Sequence, residues 1–318
     1  WVQAEFVAIA TDLAEVIGGA IALNLLFGIP LFAGGVITGI VAFALLGLQT
    51  RGYRPLELAI AGLFGVILLG FLSTLLRIPV DGADLAAGLV PRFEGTESLL
   101  LATGILGATV MPHVIYLHSA LTQDRIRPTS VADRRFLFRR QQVDVVVGMG
   151  LAGIVNAAML IIAATLFFGI DIPGTDTLEG VHAGLGRVLD QPAAFAFALA
   201  LLASGFASSG VGTYAGQVVM AGFIRRRIPL LVRRLLTLAP ALVVLGIGVD
   251  PTRALVYSQV VLSFGIPFAL VPLVMLTRRR DVMAELVNHR LTTAVAGLAA
   301  VVVIGLNAFL IWQTATGG

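Results

Sequence analysis

The chain has 318 residues, 58% of them hydrophobic and only 12% charged, with a mean hydropathy of +0.98; soluble domains run nearer about 45–50% apolar and about 25% charged, so this is a polytopic membrane protein. All 21 basic residues are Arg and there is no Cys, which excludes a Walker A loop, a pyridoxal-phosphate Schiff base, any lysine nucleophile, disulfides, iron–sulfur clusters and thiolate metal sites. The net charge of +3 reports where the arginines lie relative to a bilayer, not binding to nucleic acid.

Residue 1 is Trp and apolar sequence follows at once, without a basic n-region or a cleavage site. The start is therefore not a signal peptide and is expected to lie inside a larger protein. Apolar runs long enough to cross roughly 30 Å of hydrocarbon cover residues 1–27, 30–48, 55–77, 98–121, 142–170, 192–222, 231–249, 252–276 and 291–313. That predicts nine spans, all helical, because unpaired backbone groups are too costly in lipid. One set of alternate loops holds Arg51 and Arg54, the arginines between Arg125 and Arg140, Arg225 to Arg227, and Arg278 to Arg280 with Arg290. The other set holds only Arg77, Arg92, Arg187 and Arg253, and carries acids such as Asp81, Glu94, Asp171, Asp190 and Asp250. The positive-inside rule places the arginine-rich loops in the cytoplasm, with Trp1 cytoplasmic and Gly318 extracytoplasmic.

The first span carries Glu5, Asp12 and Glu15. Spacings of seven and three put them on one helical stripe. Acids near the bilayer middle cost roughly 2.5–3.5 kcal/mol each on insertion scales and face a bundle interior or water, as proton relays, ion sites or ion-pair partners. In the fourth span, Pro112 lacks an N–H and clashes with the carbonyl four residues back, that of Ala108. Irregular backbone at that depth is tolerated where it lines a cavity or binds something. Beside the break stand Met111 and His113; a thioether, an imidazole and a bare carbonyl suit a borderline transition-metal ion better than a hard ion, while a proline kink with a packing Met is the structural alternative. His113 titrates near physiological pH in its unperturbed state. Asp144 is expected in the first turn of the fifth span, where a helix dipole favours an acid. Arg233 and Arg234, at the entry of the seventh, are either partners of the acidic stripe or snorkel to the headgroups. Gln259, in the eighth, could ligate an ion or bridge helices. The small residues of SGFASSGVGTYAG in the sixth suggest close helix packing and no chemistry.

MPHVIYLHSAL resembles the sixth-helix signature of the Nramp (natural resistance-associated macrophage protein) divalent-metal transporters, and ATDLAEVIGGAIALNLLFGIPL resembles that family's third helix; RGYRPLE, LLASGFASSGVGTYAGQ and SQVVLSFGIPFALVPL continue the match in order. The nearest kin by this resemblance are the bacterial manganese and iron transporters. The resemblance implies an all-α, LeuT-like fold of inverted repeats, here as one transmembrane domain over residues 1–318, and proton-coupled uptake of Mn²⁺ or Fe²⁺ across the bacterial inner membrane with no resident cofactor. It implies metal ligation by Ala108 and Met111, and by Gln259 in some states. It implies a proton pathway through Asp12, Glu15 and His113, with Arg233 and Arg234, and with Glu5 and Asp144 as outer members. The family's DPGN motif, which supplies further ligands from its first helix, does not occur in this sequence. Residue 1 matches the start of the third helix, so the chain is expected to lack two helices and half of the metal site.

Two rival readings follow: a non-transporting fragment or subunit that needs the DPGN helix, and an organic-substrate transporter of the same superfamily. Met111 argues against the second, because a carboxylate substrate wants helix N-termini and cations. No nucleophile–base pair or cofactor motif suggests an enzyme.

Overall fold

The computed structural model describes all residues except 49–52, 91, 93–94, 124–127, 169–173, 225–227 and 317–318, together with a few further side chains. Arg51, Glu94, Arg125, Arg127, Asp171, Arg225, Arg226, Arg227 and Gly318, which enter the charge tally and the orientation above, lie outside the described residues. The described residues form helices and connecting turns, with no strand among them.

Among the described residues, eight helical segments, one of them interrupted in its middle, are long and apolar enough to cross a membrane. The first expected span is α1, Val2–Phe27. It ends where Gly28 adopts a left-handed conformation (φ 68°) and its N–H bonds the Asn24 carbonyl at 2.8 Å, a conformation that costs glycine nothing. The next are α2, Leu31–Leu48, and α3, Tyr53–Leu75. A short helix, α4, Gly82–Gly88, follows with an Asp81 N-cap. The fourth span is two helices, α5, Gly95–Thr109, and α6, Pro112–Gln123, separated at Val110 and Met111. The break falls where Pro112 requires it.

The fifth span departs from expectation. Helix α7 runs Val131–Phe167, well before residue 142. Its start is fixed by a capping box: the Ser130 hydroxyl accepts from the Asp133 N–H at 3.0 Å, and the Asp133 carboxylate accepts from the Ser130 N–H at 3.1 Å. Hydropathy missed this polar overture because arginines occupy the first turns. Asp144 is consequently mid-helix, not in the first turn. After a short α8, Leu178–Val188, come α9, Gln191–Ile224, and α10, Leu230–Gly246. With 17 residues, α10 is the shortest of the expected nine spans and is not among those eight segments. The chain closes with α11, Pro251–Thr277, a short α12, Arg280–Met283, and α13, Arg290–Thr316.

Helix α1 is the hub, packed against α9, α11, α2 and α10. From Val7 to Leu23 most of its residues are buried, as a helix surrounded on all sides must be. Small residues set the crossings: a Cβ on Gly205 of α9 would come within 2.9 Å of the backbone of Gly19, and one on Gly34 of α2 within 3.0 Å of the backbone of Ala20. Backbones this close maximise packing where lipid offers no hydrophobic drive.

Two ion pairs bear on the sidedness of the loops. Arg134 reaches Glu285 at 3.6 Å and Arg77 reaches Asp190 at 2.8 Å. Each pair joins two segments of the same predicted side.

The α1–α9 crossing makes a test. Gly205→Val should overpack it and cost about 1–3 kcal/mol, whereas Gly62→Val on α3, where an added Cβ meets nothing within 4 Å, should change little. Thermal unfolding of the two variants in detergent measures the difference, and equal stability would place the α1–α9 contact elsewhere.

Candidate functional site

The acidic stripe of α1 meets the two arginines of α10 inside the bundle. Arg233 and Arg234 are each 2% exposed, so they do not snorkel. Arg233 donates to Glu5 at 2.6 Å. Arg234 pairs with Asp12, which is wholly buried. It also donates to the Ser209 hydroxyl at 2.6 Å and to the Thr213 hydroxyl at 3.1 Å, and Ser209 in turn donates to Asp12 at 2.9 Å. Glu15, one turn further along, lies beside Asp12, Arg234 and Ser208, and its Oε2 has no hydrogen-bond partner among the described residues. Three carboxyl groups therefore face two guanidiniums, and Glu15 is the acid without a cation of its own. From Glu5 to Glu15 the helix rises about 15 Å, so this is a polar track through half of a bilayer core.

Ser209 and Thr213 were not legible as functional. They sit in the small-residue stretch of α9, four residues apart and thus on one face, and this spacing of hydroxyls was the available signal. Gly216, one turn on, completes that face: a Cβ there would collide with the Arg233 guanidinium. Small side chains on α9 thus do two jobs, admitting α1 and making room for arginines.

The track connects to the helix break through Thr11 and His113. The Thr11 hydroxyl donates to the Val7 carbonyl at 2.9 Å and lies 3.4 Å from His113 Nδ1. With its proton committed to Val7, the Thr11 oxygen is an acceptor for Nδ1–H. His113 is 1% exposed and two residues from Met111. His118 is exposed on the same helix.

The break itself differs from other proline positions in the fold. In α11, Pro267 and Pro272 free the carbonyls of Ser263 and Phe268. Both are taken by side chains from other helices: Asn307 of α13 donates to Ser263 at 3.1 Å, and Tyr116 of α6 donates to Phe268 at 3.2 Å. In α10, Pro240 removes the donor for Leu236, in a helix that continues without a break. The Ala108 carbonyl, freed by Pro112 at a true break, receives no hydrogen bond among the described residues. Ala108 is exposed and Met111 half-buried.

Gln259 comes to the same place. A Cβ on Gly107 would collide with the Gln259 carbonyl, so α11 lies directly against the turn before the break. The Gln259 amide nitrogen donates to Ser258 at 3.2 Å, while its Oε1 is buried and without a partner among the described residues. Asp144 does not join. It is exposed on α7 and makes no ion pair or hydrogen bond among the described residues, because the helix that carries it starts three turns earlier than expected and presents it outward. No cluster of three or more His, Asp or Glu able to hold a metal occurs among the described residues; any ion at the break would rely on neutral oxygen and sulfur donors from this chain.

Comparison with known proteins gives this arrangement its context. The profile of a family described as natural resistance-associated macrophage protein-like matches residues 1–313. The divalent metal cation transporter MntH of Deinococcus radiodurans is 50% identical over 317 residues, covering 100% of this chain and 73% of that protein. The MntH of Bacillus subtilis is 50% identical over 316 residues, covering 99% and 74%. A crystal structure of the Eremococcus coleocola manganese transporter, in complex with an aromatic bis-isothiourea substituted compound, superposes with a TM-score of 0.82 at 34% identity, over 96% of this chain and 69% of that one. These relatives are transporters, not enzymes, and the fold is theirs: all-helical, multi-pass and membrane-embedded. The chain belongs to the Nramp family.

Proposed function

We propose that the protein carries a divalent transition metal, Mn²⁺ or Fe²⁺, into the cytoplasm together with protons. The observation that carries this reading is the free Ala108 carbonyl at a mid-membrane helix break, beside Met111 and against Gln259, when two comparable carbonyls in α11 are capped by side chains. A carbonyl oxygen, a thioether sulfur and an amide oxygen offer a partly dehydrated ion a borderline-soft coordination that Ca²⁺ and Mg²⁺, which take oxygen alone, do not prefer. The names of the relatives, divalent metal cation and manganese transporters, support the same substrate class.

The proton side rests on charge balance. Asp12 and Glu5 are committed to arginines, while Glu15 can take and release a proton without stranding a buried cation. His113 stands between the break and the track, joined to α1 through Thr11. An ion arriving at Met111 and a proton on His113 or Glu15 would sense each other across a dry, low-dielectric interior, where charges interact far more strongly than in water. The arginine-rich loops face the cytoplasm by the positive-inside rule, so the Glu5–Arg233 end of the track is the side on which protons leave.

Two measurements in proteoliposomes of the native gene product test the two halves. Glu15→Gln should leave metal uptake in place and lower metal-driven proton flux, read with an internal pH dye. Asp12→Asn should lower proton flux and also destabilise the fold by about 3–5 kcal/mol, since it leaves Arg234 buried without its counter-ion. Equal loss of metal uptake and proton flux in Glu15→Gln would contradict the division of labour.

Met111→Ala should retain some Mn²⁺ uptake, lose Cd²⁺ affinity most, and gain Ca²⁺ or Mg²⁺ uptake as water replaces the side chain, because a soft ligand acts partly by rejecting abundant hard ions. Parallel uptake of Mn²⁺, Cd²⁺ and Ca²⁺ decides this. Unchanged selectivity would make Met111 a packing residue at a kink.

A further inference from the structure

The segment joining α11 to α13 holds a second feature that the transport reading does not use. A cavity of about 610 Å³ opens there, lined by Arg278, Arg280 and Arg290 with Asn288 and Thr293. None of the three arginines makes an ion pair among the described residues. The segment from Thr277 to Ala294 contains two acids, Asp281 and Glu285, and both are engaged elsewhere. Asp281 is bound by Arg279, at 3.1 Å from its Nε and through a second contact from Nη2, and Glu285 is bound by Arg134 at 3.6 Å. The Arg279 guanidinium beside Asp281 holds that carboxyl below the usual range, so it stays ionised and engaged near neutral pH. Among the described residues the cavity is thus left with three positive charges and no acid to balance them.

Its walls are also fixed. The Asn288 N–H bonds the Thr277 carbonyl at 3.0 Å, and its side-chain amide donates to the Thr277 hydroxyl at 2.8 Å. This double tie folds the segment back onto the end of α11 and leaves the Asn288 amide oxygen and backbone in place around the opening. Arg278 caps the end of α11 and Arg290 begins α13, both helices long and apolar enough to span a membrane. The cavity therefore lies at headgroup depth. Its remaining lining, Val287 and Ala294, is apolar and suits the glycerol and first methylenes of a lipid, not a fully hydrated ion.

We propose that this cavity binds the phosphate of an anionic phospholipid headgroup. Guanidiniums recognise phosphate through paired, charge-assisted hydrogen bonds, and basic pockets between membrane helices are suited to such headgroups. Free inorganic phosphate offers the same oxygens, so the test must separate the two sources.

Native mass spectrometry of the delipidated protein, titrated in turn with phosphatidylglycerol, phosphatidylcholine and inorganic phosphate, reads this directly. Phosphatidylglycerol should bind in preference to both of the others. An arginine near an anionic surface is worth about fivefold in affinity, so Arg280→Gln alone should weaken phosphatidylglycerol about fivefold, and the triple variant Arg278→Gln, Arg280→Gln, Arg290→Gln on the order of a hundredfold. A control triple, Arg135→Gln, Arg139→Gln, Arg140→Gln, removes the same charge from exposed positions on α7 and should leave affinity near wild type. Should the large triple fail to fold, the single variant against the control still decides. Equal losses in the cavity and control variants would overturn the site in favour of diffuse surface charge, no preference over phosphatidylcholine would overturn the anionic headgroup, and binding of free phosphate as tightly as the lipid would overturn the lipid assignment.

Discussion

A polar group in hydrocarbon must find a partner inside the protein, and most features of this structure answer to that constraint. The Asn307 amide and the Tyr116 hydroxyl cap the two carbonyls that prolines free in α11. Ser209 and Thr213 bind the guanidinium that Asp12 neutralises. Among the described residues, the polar atoms left without a hydrogen-bond partner include one atom each of the ion-paired Glu5, Asp12, Arg233 and Arg234 and, outside any ion pair, the Ala108 carbonyl, the Gln259 amide oxygen and one oxygen of Glu15. In the function proposed above, the last three are the groups that a transient cargo would satisfy, a metal ion at the break and a proton at the acid.

The architecture explains why these groups are brought together. Helix α1 can carry three acids because it is surrounded, with α10 supplying two arginines and α9 supplying hydroxyls and small side chains. The arginines are buried only because Gly216 leaves space for one and Thr213 and Ser209 solvate the other. Helix α11 presses against both the break, at Gly107, and α1, where a Cβ on Gly265 would meet Val7 at 2.5 Å and Pro112 at 2.9 Å. A shift of α11 would therefore be felt at the break and along the stripe at once. Packed interfaces of this kind are bistable more than they are deformable, which is what alternating exposure of a site requires.

Much of this was legible in the sequence because lipid makes the rules strict. An apolar run has to be a helix, a charge inside it has to have a reason, and Pro112 has to break the helix it occupies. Those rules located the stripe, the arginines and the break. What the sequence concealed was of two kinds. Partners supplied by small polar residues, such as Ser209, Thr213, Thr11 and Asn307, carry no hydropathy signature and acquire a role only when another helix arrives. Helix ends governed by capping, as at Ser130, fall in polar sequence where hydropathy sees a loop; that is why α7 began earlier than expected and why Asp144 faces outward instead of joining the track.

In the proposed function the Ala108 carbonyl is free in order to hold an ion. Pro112→Ala tests it most directly, since alanine restores the one backbone N–H that could close the helix across the break. The variant is expected to fold at least as stably as the wild type but to lose Mn²⁺ and Cd²⁺ uptake into proteoliposomes by about tenfold or more, because the carbonyl has acquired an internal donor. A Pro112→Ala protein that folds, shows the continuous helix by hydrogen exchange at residue 112, and still transports both metals at the wild-type rate would contradict it.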